Sequence, residues 1–106
     1  MQVASCRSSL VVVPWGTAGA RAREVGDGAV SFTPAFPPPG GRAVVDTVGA
    51  GDTFNAAVIA ALLRGLSVGA AIEFGARIAG AKVGVHGYDV LPFVPDALAA
   101  TGATTA

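Results

Sequence analysis

The stretch Val44-Val45-Asp46-Thr47-Val48-Gly49-Ala50-Gly51-Asp52-Thr53-Phe54-Asn55 decides how this chain is read. Its β-branched residues predict a short apolar strand, and its Gly-Ala-Gly step predicts a tight turn. Asp52 falls where an amphipathic helix begins. Phe54, Ala57, Val58, Ala61 and Leu62 recur at i, i+3, i+4, i+7 and i+8, which predicts a helix over 52–64 with Gly65 as its stop. A strand, glycine turn and helix in this order suit an anion: glycines let the backbone approach it, and unpaired amides at a helix start point toward it. A carboxylate beside such a turn is a candidate general base for a hydroxyl attacking phosphate. The competing explanation is structural, with Asp52 capping the helix and the glycines making its turn.

Working outward, Ser67 is placed to cap a second helix over 68–83, with Val68, Ala71, Ile72, Gly75 and Ala79 on one face. The short link Gly65-Leu66-Ser67 makes the two helices neighbours. Small residues at Ala71, Gly75, Ala76, Ala79 and Gly80 allow something to approach closely. Upstream, Ser9 to Val13 predicts a buried strand. Pro14 to Ala20 forms a loop, and a hairpin turns at Gly26-Asp27-Gly28 between Arg23-Glu24-Val25 and Ala29 to Thr33. Phe36-Pro37-Pro38-Pro39-Gly40-Gly41 predicts a stiff, extended connector ending in a flexible point. Downstream, Gly84 to Gly87 predicts a loop, Leu91 to Val94 a short extended piece, and Pro95 to Leu98 a final turn. Residues 1–8 have no clear period and are expected to be a leader; Thr101 to Ala106 are expected to fray.

Composition narrows the function classes. The 106 residues suit one small domain. Seven basic and seven acidic side chains leave no basic footprint for nucleic acid and no acidic tail. Only 13% of residues are charged while 52% are hydrophobic, so the chain is expected to bury surface against something further. Cys6 is the single cysteine, which excludes an internal disulfide and a cysteine metal cluster and favours the reducing cytoplasm. The apolar run Leu10 to Val13 is too short for a good signal peptide. The apolar stretch Ala56 to Ile72 is broken by Arg64-Gly65, so it reads as two helices rather than a membrane span.

Two common nucleotide motifs fail on the glycine turn. No lysine follows it, as a P-loop needs, and Phe54 stands where a dinucleotide fingerprint needs its third glycine. The longer string Asp46-Thr47-Val48-Gly49-Ala50-Gly51-Asp52-Thr53-Phe54 instead resembles the C-terminal signature of the ribokinase-like (PfkB) family of carbohydrate kinases, most nearly its ketohexokinase (fructokinase) branch. Phe36-Pro37-Pro38-Pro39, Asn55-Ala56, Phe74-Gly75, Ala79-Gly80, Lys82, Gly84 and Gly87-Tyr88-Asp89 extend the resemblance over roughly residues 9–91.

The resemblance implies an α/β fold, the C-terminal and incomplete part of a three-layer α/β/α sandwich, with residues 9–94 as its nucleotide-binding portion and 95–106 as a tail. It implies ATP-dependent phosphorylation of a sugar hydroxyl, with Mg²⁺ accompanying ATP and a ketohexose as acceptor. Asp52 would be the base and Gly49, Ala50 and Gly51 the anion hole. Asp46, Thr47 and Asn55 would support the site, Asp46 and Thr47 also through a nearby monovalent cation, K⁺, with no metal ligated directly; the alternative is that Asp46 only bonds the following turn and Asn55 only the first turn of the helix. Trp15, Gly16, Gly19, Phe36, Pro37, Ala76, Ala79 and Gly80 would surround the adenine. The sequence departs from the ketohexokinase pattern at Gly16-Thr17-Ala18 and in the extra Gly40-Gly41. The family's sugar-binding residues and lid have no counterpart here, so the expectation is a portion of a cytoplasmic kinase that needs a missing N-terminal half or forms a homodimer. Two other classes stay open: a non-catalytic nucleotide-binding or interaction module, and a nucleoside kinase fragment.

Overall fold

The computed structural model describes residues 10–26 and 28–102. The residues 1–8 read as a leader, with Cys6, and the hairpin's Asp27 lie outside the described residues. Three strands, β1 (Leu10–Pro14), β2 (Ala20–Glu24) and β3 (Val30–Thr33), form an antiparallel sheet in the order β1-β2-β3. The hairpin expected around residue 27 is closed by Gly28 N–H to Glu24 O (2.8 Å) and Glu24 N–H to Ala29 O (2.9 Å). Register places Val12 opposite Ala22 and Ala20 opposite Thr33. Side chains alternate across a strand, so Ala20, Ala22 and Thr33 share the buried face.

The other face carries Val11, Val13, Val30 and Phe32, all exposed, with the Arg21 guanidinium 5.1 Å over the Phe32 ring. The expectation of a wholly buried first strand is therefore corrected. Among the described residues only one face of the sheet is covered, by a helix, and β1 alternates accordingly.

That helix is α2 (Val68–Val83), and α1 (Ala50–Leu63) packs on it as well. In contact with both the sheet and α1, α2 is buried on more than the stripe expected from its small residues: Phe74, Ile78 and Lys82 are buried as well. The helices touch at Gly75, where an added Cβ would sit 2.6 Å from Val58 Cγ2. The link between them behaves as its sequence predicts. Arg64 ends α1, Gly65 takes φ +89°, and the amides of Gly65 and Leu66 return to Leu62 O (3.0 Å) and Ala61 O (3.1 Å). This is a Schellman stop, and Leu66 is buried beneath it. Ser67 Oγ then accepts from Ala70 N–H (3.2 Å) and caps α2.

Two expected elements differ. Val44-Val45 forms no strand. The Val45 and Asp46 amides both donate to Val83 O (2.7 and 3.2 Å), so this segment satisfies the carbonyl end of α2 in place of a sheet edge. Leu91 to Val94 is not extended: a 3₁₀ turn over Leu91–Phe93 leads into α3 (Val94–Ala100), which packs on α2. Pro92 and Pro95 lie in the first turns, where a missing N–H breaks no helical hydrogen bond.

Candidate functional site

The geometry at the glycine turn begins with Asp46. Its Oδ1 accepts from Val48 N–H (3.1 Å) and closes the turn locally. Its Oδ2 accepts from Gly87 N–H (3.0 Å), 41 residues away, and pairs with Lys82 Nζ (3.1 Å). Lys82 also donates to the Asp46 carbonyl (3.0 Å) and lies 5.3 Å from the Tyr88 ring centroid. The lysine is fully buried, so its charge is compensated by one residue contacted twice. The Gly87 amide, the Lys82 ammonium and the Val48 amide together hold the Asp46 carboxyl at about 2, below the ordinary 3.8. The turn is thus fixed to the end of α2 and to the loop at Gly87.

Gly49 follows with φ +79°, the left-handed region that glycine enters without penalty. An added Cβ there would overlap the Tyr88 hydroxyl. Gly49 occupies the cap of α1, so the helix begins at Ala50, two residues before the expected start at Asp52. No side chain caps it. Ala50 N–H turns back to Thr47 O (3.3 Å) and Thr53 N–H bonds Gly49 O (2.9 Å). The amides of Gly51 and Asp52, between them, have no acceptor within the helix. Of the three residues expected to form the anion hole, Ala50 has its amide turned back to Thr47 O, whereas Gly51 keeps an amide without a helical acceptor. Asp52 stands exposed on this first turn, and Asn55, one turn further, is exposed too.

A cleft of about 630 Å³ opens beside this helix start. That lies within the roughly 300–1,000 Å³ of small-molecule sites. Thr47, Ala50 and Gly51 wall one end. Gly16 and Gly19 come from the loop after β1, Phe36 and Pro37 from the connector, and Ala76, Ala79 and Gly80 from α2. Gly80 is needed for shape, because a Cβ there would run into the Phe36 carbonyl oxygen. The Arg77 guanidinium lies 4.0 Å over the Phe36 ring and is held in turn by Glu73 Oε2 (2.9 Å). The cleft's lining has only Thr17 and Thr47 as polar side chains, so it suits a flat apolar ring at one end and an anion at the other.

The structure therefore brings together seven of the residues expected around a base, and leaves Trp15 out. Trp15 is 71% exposed and borders a second hollow with Val13, Ala18 and Arg21, which adjoins the main cleft at Gly19 and Ala20. It does not line the main cleft. Lys82 and Tyr88 gain places that the sequence reading did not give them. A signal for Lys82 existed: it follows Ile78 by four residues and Gly75 by seven, so it falls on the apolar stripe of α2 and demands a buried carboxylate partner. Among the described residues no group of three or more His, Cys, Asp or Glu could hold a metal ion. No described helix is long and apolar enough to cross a membrane.

Residues 2–93 match the pfkB family carbohydrate kinase model, and the chain belongs to that family. Its sequence is similar to mouse (Mus musculus) ketohexokinase, 46% identical over 83 residues that make up 78% of this chain and 26% of the mouse protein. Its structure is similar to Arabidopsis thaliana ribokinase complexed with ribose and ATP, with 32% identity, a TM-score of 0.71, and coverage of 84% of this chain and 28% of that one. It is also similar to ribokinase from Cryptococcus neoformans in complex with ADP, at 26% identity, TM-score 0.65, 88% of this chain and 28% of that one. The chain thus spans about a quarter of the length of the relatives it matches. The ribokinase-like α/β fold expected from the signature is the one observed.

Proposed function

We propose that this chain supplies the nucleotide-binding and phosphoryl-transfer portion of an ATP-dependent sugar kinase. The observation that carries this reading is the continuity of one cleft, from an apolar slot between Phe36-Pro37 and α2 to the helix start at Ala50-Gly51; the Asp52 side chain is the next residue on that turn, exposed and outside the lining. The base lies in the slot, and the polyphosphate runs toward Gly51. The Gly51 and Asp52 amides face the oxygens of the transferring phosphoryl group, where negative charge builds up as it moves. Asp52 takes the proton of the acceptor hydroxyl as that oxygen bonds to the γ-phosphorus; the bond to the β–γ bridging oxygen breaks and ADP leaves. Mg²⁺ would accompany the nucleotide as part of the substrate, where it would neutralise phosphate charge.

The likeness to mouse ketohexokinase supports a ketohexose as acceptor, and the ribose complex of the Arabidopsis ribokinase supports a sugar alcohol group in general. The cleft itself carries no set of polar side chains suited to several sugar hydroxyls. The acceptor is therefore bound by residues beyond those lining it. The same observation supports a second reading, a nucleotide-binding module without turnover of its own.

The experiment has two arms. ADP should raise the Tm of the purified chain; no shift with ADP or ATP would overturn the nucleotide site. Asp52→Asn, in a polypeptide that also carries the sugar-binding half, should keep that shift and lose about 10²–10⁴-fold in sugar-dependent ADP formation. Unchanged turnover would remove Asp52 as the base. A retained ADP shift with no turnover in any context would favour the binding module.

A further inference from the structure

The family resemblance implies a monovalent cation beside Asp46 and Thr47, and the Asp46 oxygens do not fit one. A monovalent ion is held by oxygens that replace its hydration shell. Here the Asp46 oxygens are turned toward N–H donors instead: Val48 N–H at Oδ1, Gly87 N–H and Lys82 Nζ at Oδ2, and Lys82 Nζ again at the carbonyl. A second positive charge on Oδ2 or on the carbonyl oxygen would meet the ammonium within contact distance and be repelled. The ammonium is enclosed, with its remaining side facing the Tyr88 ring.

We infer that Lys82 is the built-in cation of this site: its ammonium takes the place of K⁺ and, through Asp46, positions the turn that aims the Gly51 and Asp52 amides. Lys82 is the only lysine in a chain with six arginines, and it is spent entirely in the interior. The residue type fits the place. An ammonium is a compact point charge whose three donors can reach a carbonyl, a carboxylate and a ring face at once, whereas a guanidinium is a planar fork too broad for that arrangement. Lys82 touches no substrate in this scheme; it is a positioning residue, and its place against Asp46 extends the nucleotide-site reading above.

Because Lys82 and the N-terminus are the chain's only amines, acylation reads its environment directly. A water-soluble acetylating reagent should modify Lys82 at least 100-fold more slowly in the native chain than in urea; equal rates would overturn the buried placement. Thermal unfolding in KCl and in choline chloride at equal ionic strength should give the same Tm for the native chain, and a K⁺-selective rise would overturn the internal cation. Lys82→Ala should lower Tm and then show a K⁺- or methylammonium-selective rise, which loss of packing alone would not produce. If that variant does not fold, the native chain's acylation and salt series still decide. Failure of ADP to bind would count against the nucleotide reading while leaving both amine and salt measurements interpretable.

Discussion

Gly49→Ala probes the backbone on which the candidate site rests. At φ +79° an L residue costs roughly 1–2 kcal/mol. Its Cβ would also lie 2.6 Å from Cε1 and Cζ of Tyr88 and overlap the hydroxyl, so the ring must leave. Tyr88 is 60% exposed and free to swing outward, so the overlap is relieved at the expense of its place over the Lys82 ammonium. Such a contact contributes roughly 0.5–1 kcal/mol. The sum is about 1.5–3 kcal/mol, a large share of the roughly 5–15 kcal/mol that holds a small domain. With a urea slope of roughly 2 kcal/mol/M, the midpoint should fall by about 1 M at unchanged slope, read by far-UV circular dichroism. A double-mutant cycle separates the terms: in a Tyr88→Ala background Gly49→Ala should cost only the backbone part, about 1–2 kcal/mol. A cost below about 0.5 kcal/mol in the native background, or the same cost in both, would refute the reasoning.

Three further outcomes are expected. Because the Asp46 carboxyl is lowered from 3.8 to about 2 in the folded chain, the stability it contributes is complete above the ordinary carboxylate value and is lost as pH falls from about 4 toward 2. Asp46→Asn should therefore be less stable than the native chain at pH 7, with the gap closing over that window in pH-dependent denaturation; a gap constant from pH 7 to 2 would contradict it. Ser67→Ala removes the cap bond to Ala70 and should lower stability by about 1 kcal/mol without altering the ADP-induced Tm shift, measured by urea titration and thermal melts. Gly80→Ala drives a methyl against the Phe36 carbonyl and should weaken ADP binding at least tenfold by calorimetry, while Asp52→Asn leaves that binding intact.

Much of the helical part was legible because its signals are local. The i, i+3, i+4 spacing of Phe54, Ala57 and Val58, the stop at Gly65 and the cap at Ser67 each act within one or two turns, and each stands in the structure where the sequence places it. The hairpin was legible for the same reason. Val44-Val45 was not, since β-branched residues state a preference for extended backbone but cannot name the partner, and here the partner is the carbonyl end of α2. Leu91 to Val94 carried no period long enough to separate a 3₁₀ turn from an extended piece.

At the site, the sequence by itself determined the glycine turn, the carboxylate on the following helix and the family to which they belong. A left-handed glycine and a helix start are set by neighbouring residues, so a linear string is enough to state them. Only the tertiary structure decided what surrounds that turn. It joined Phe36-Pro37 to Gly80 across more than forty residues, moved Trp15 out of the cleft, and placed Lys82 and Gly87 on the Asp46 carboxylate. The physical reason is the burial of charge: a lysine on an apolar stripe requires a compensating oxygen, but which one it receives is fixed by where the folded chain returns.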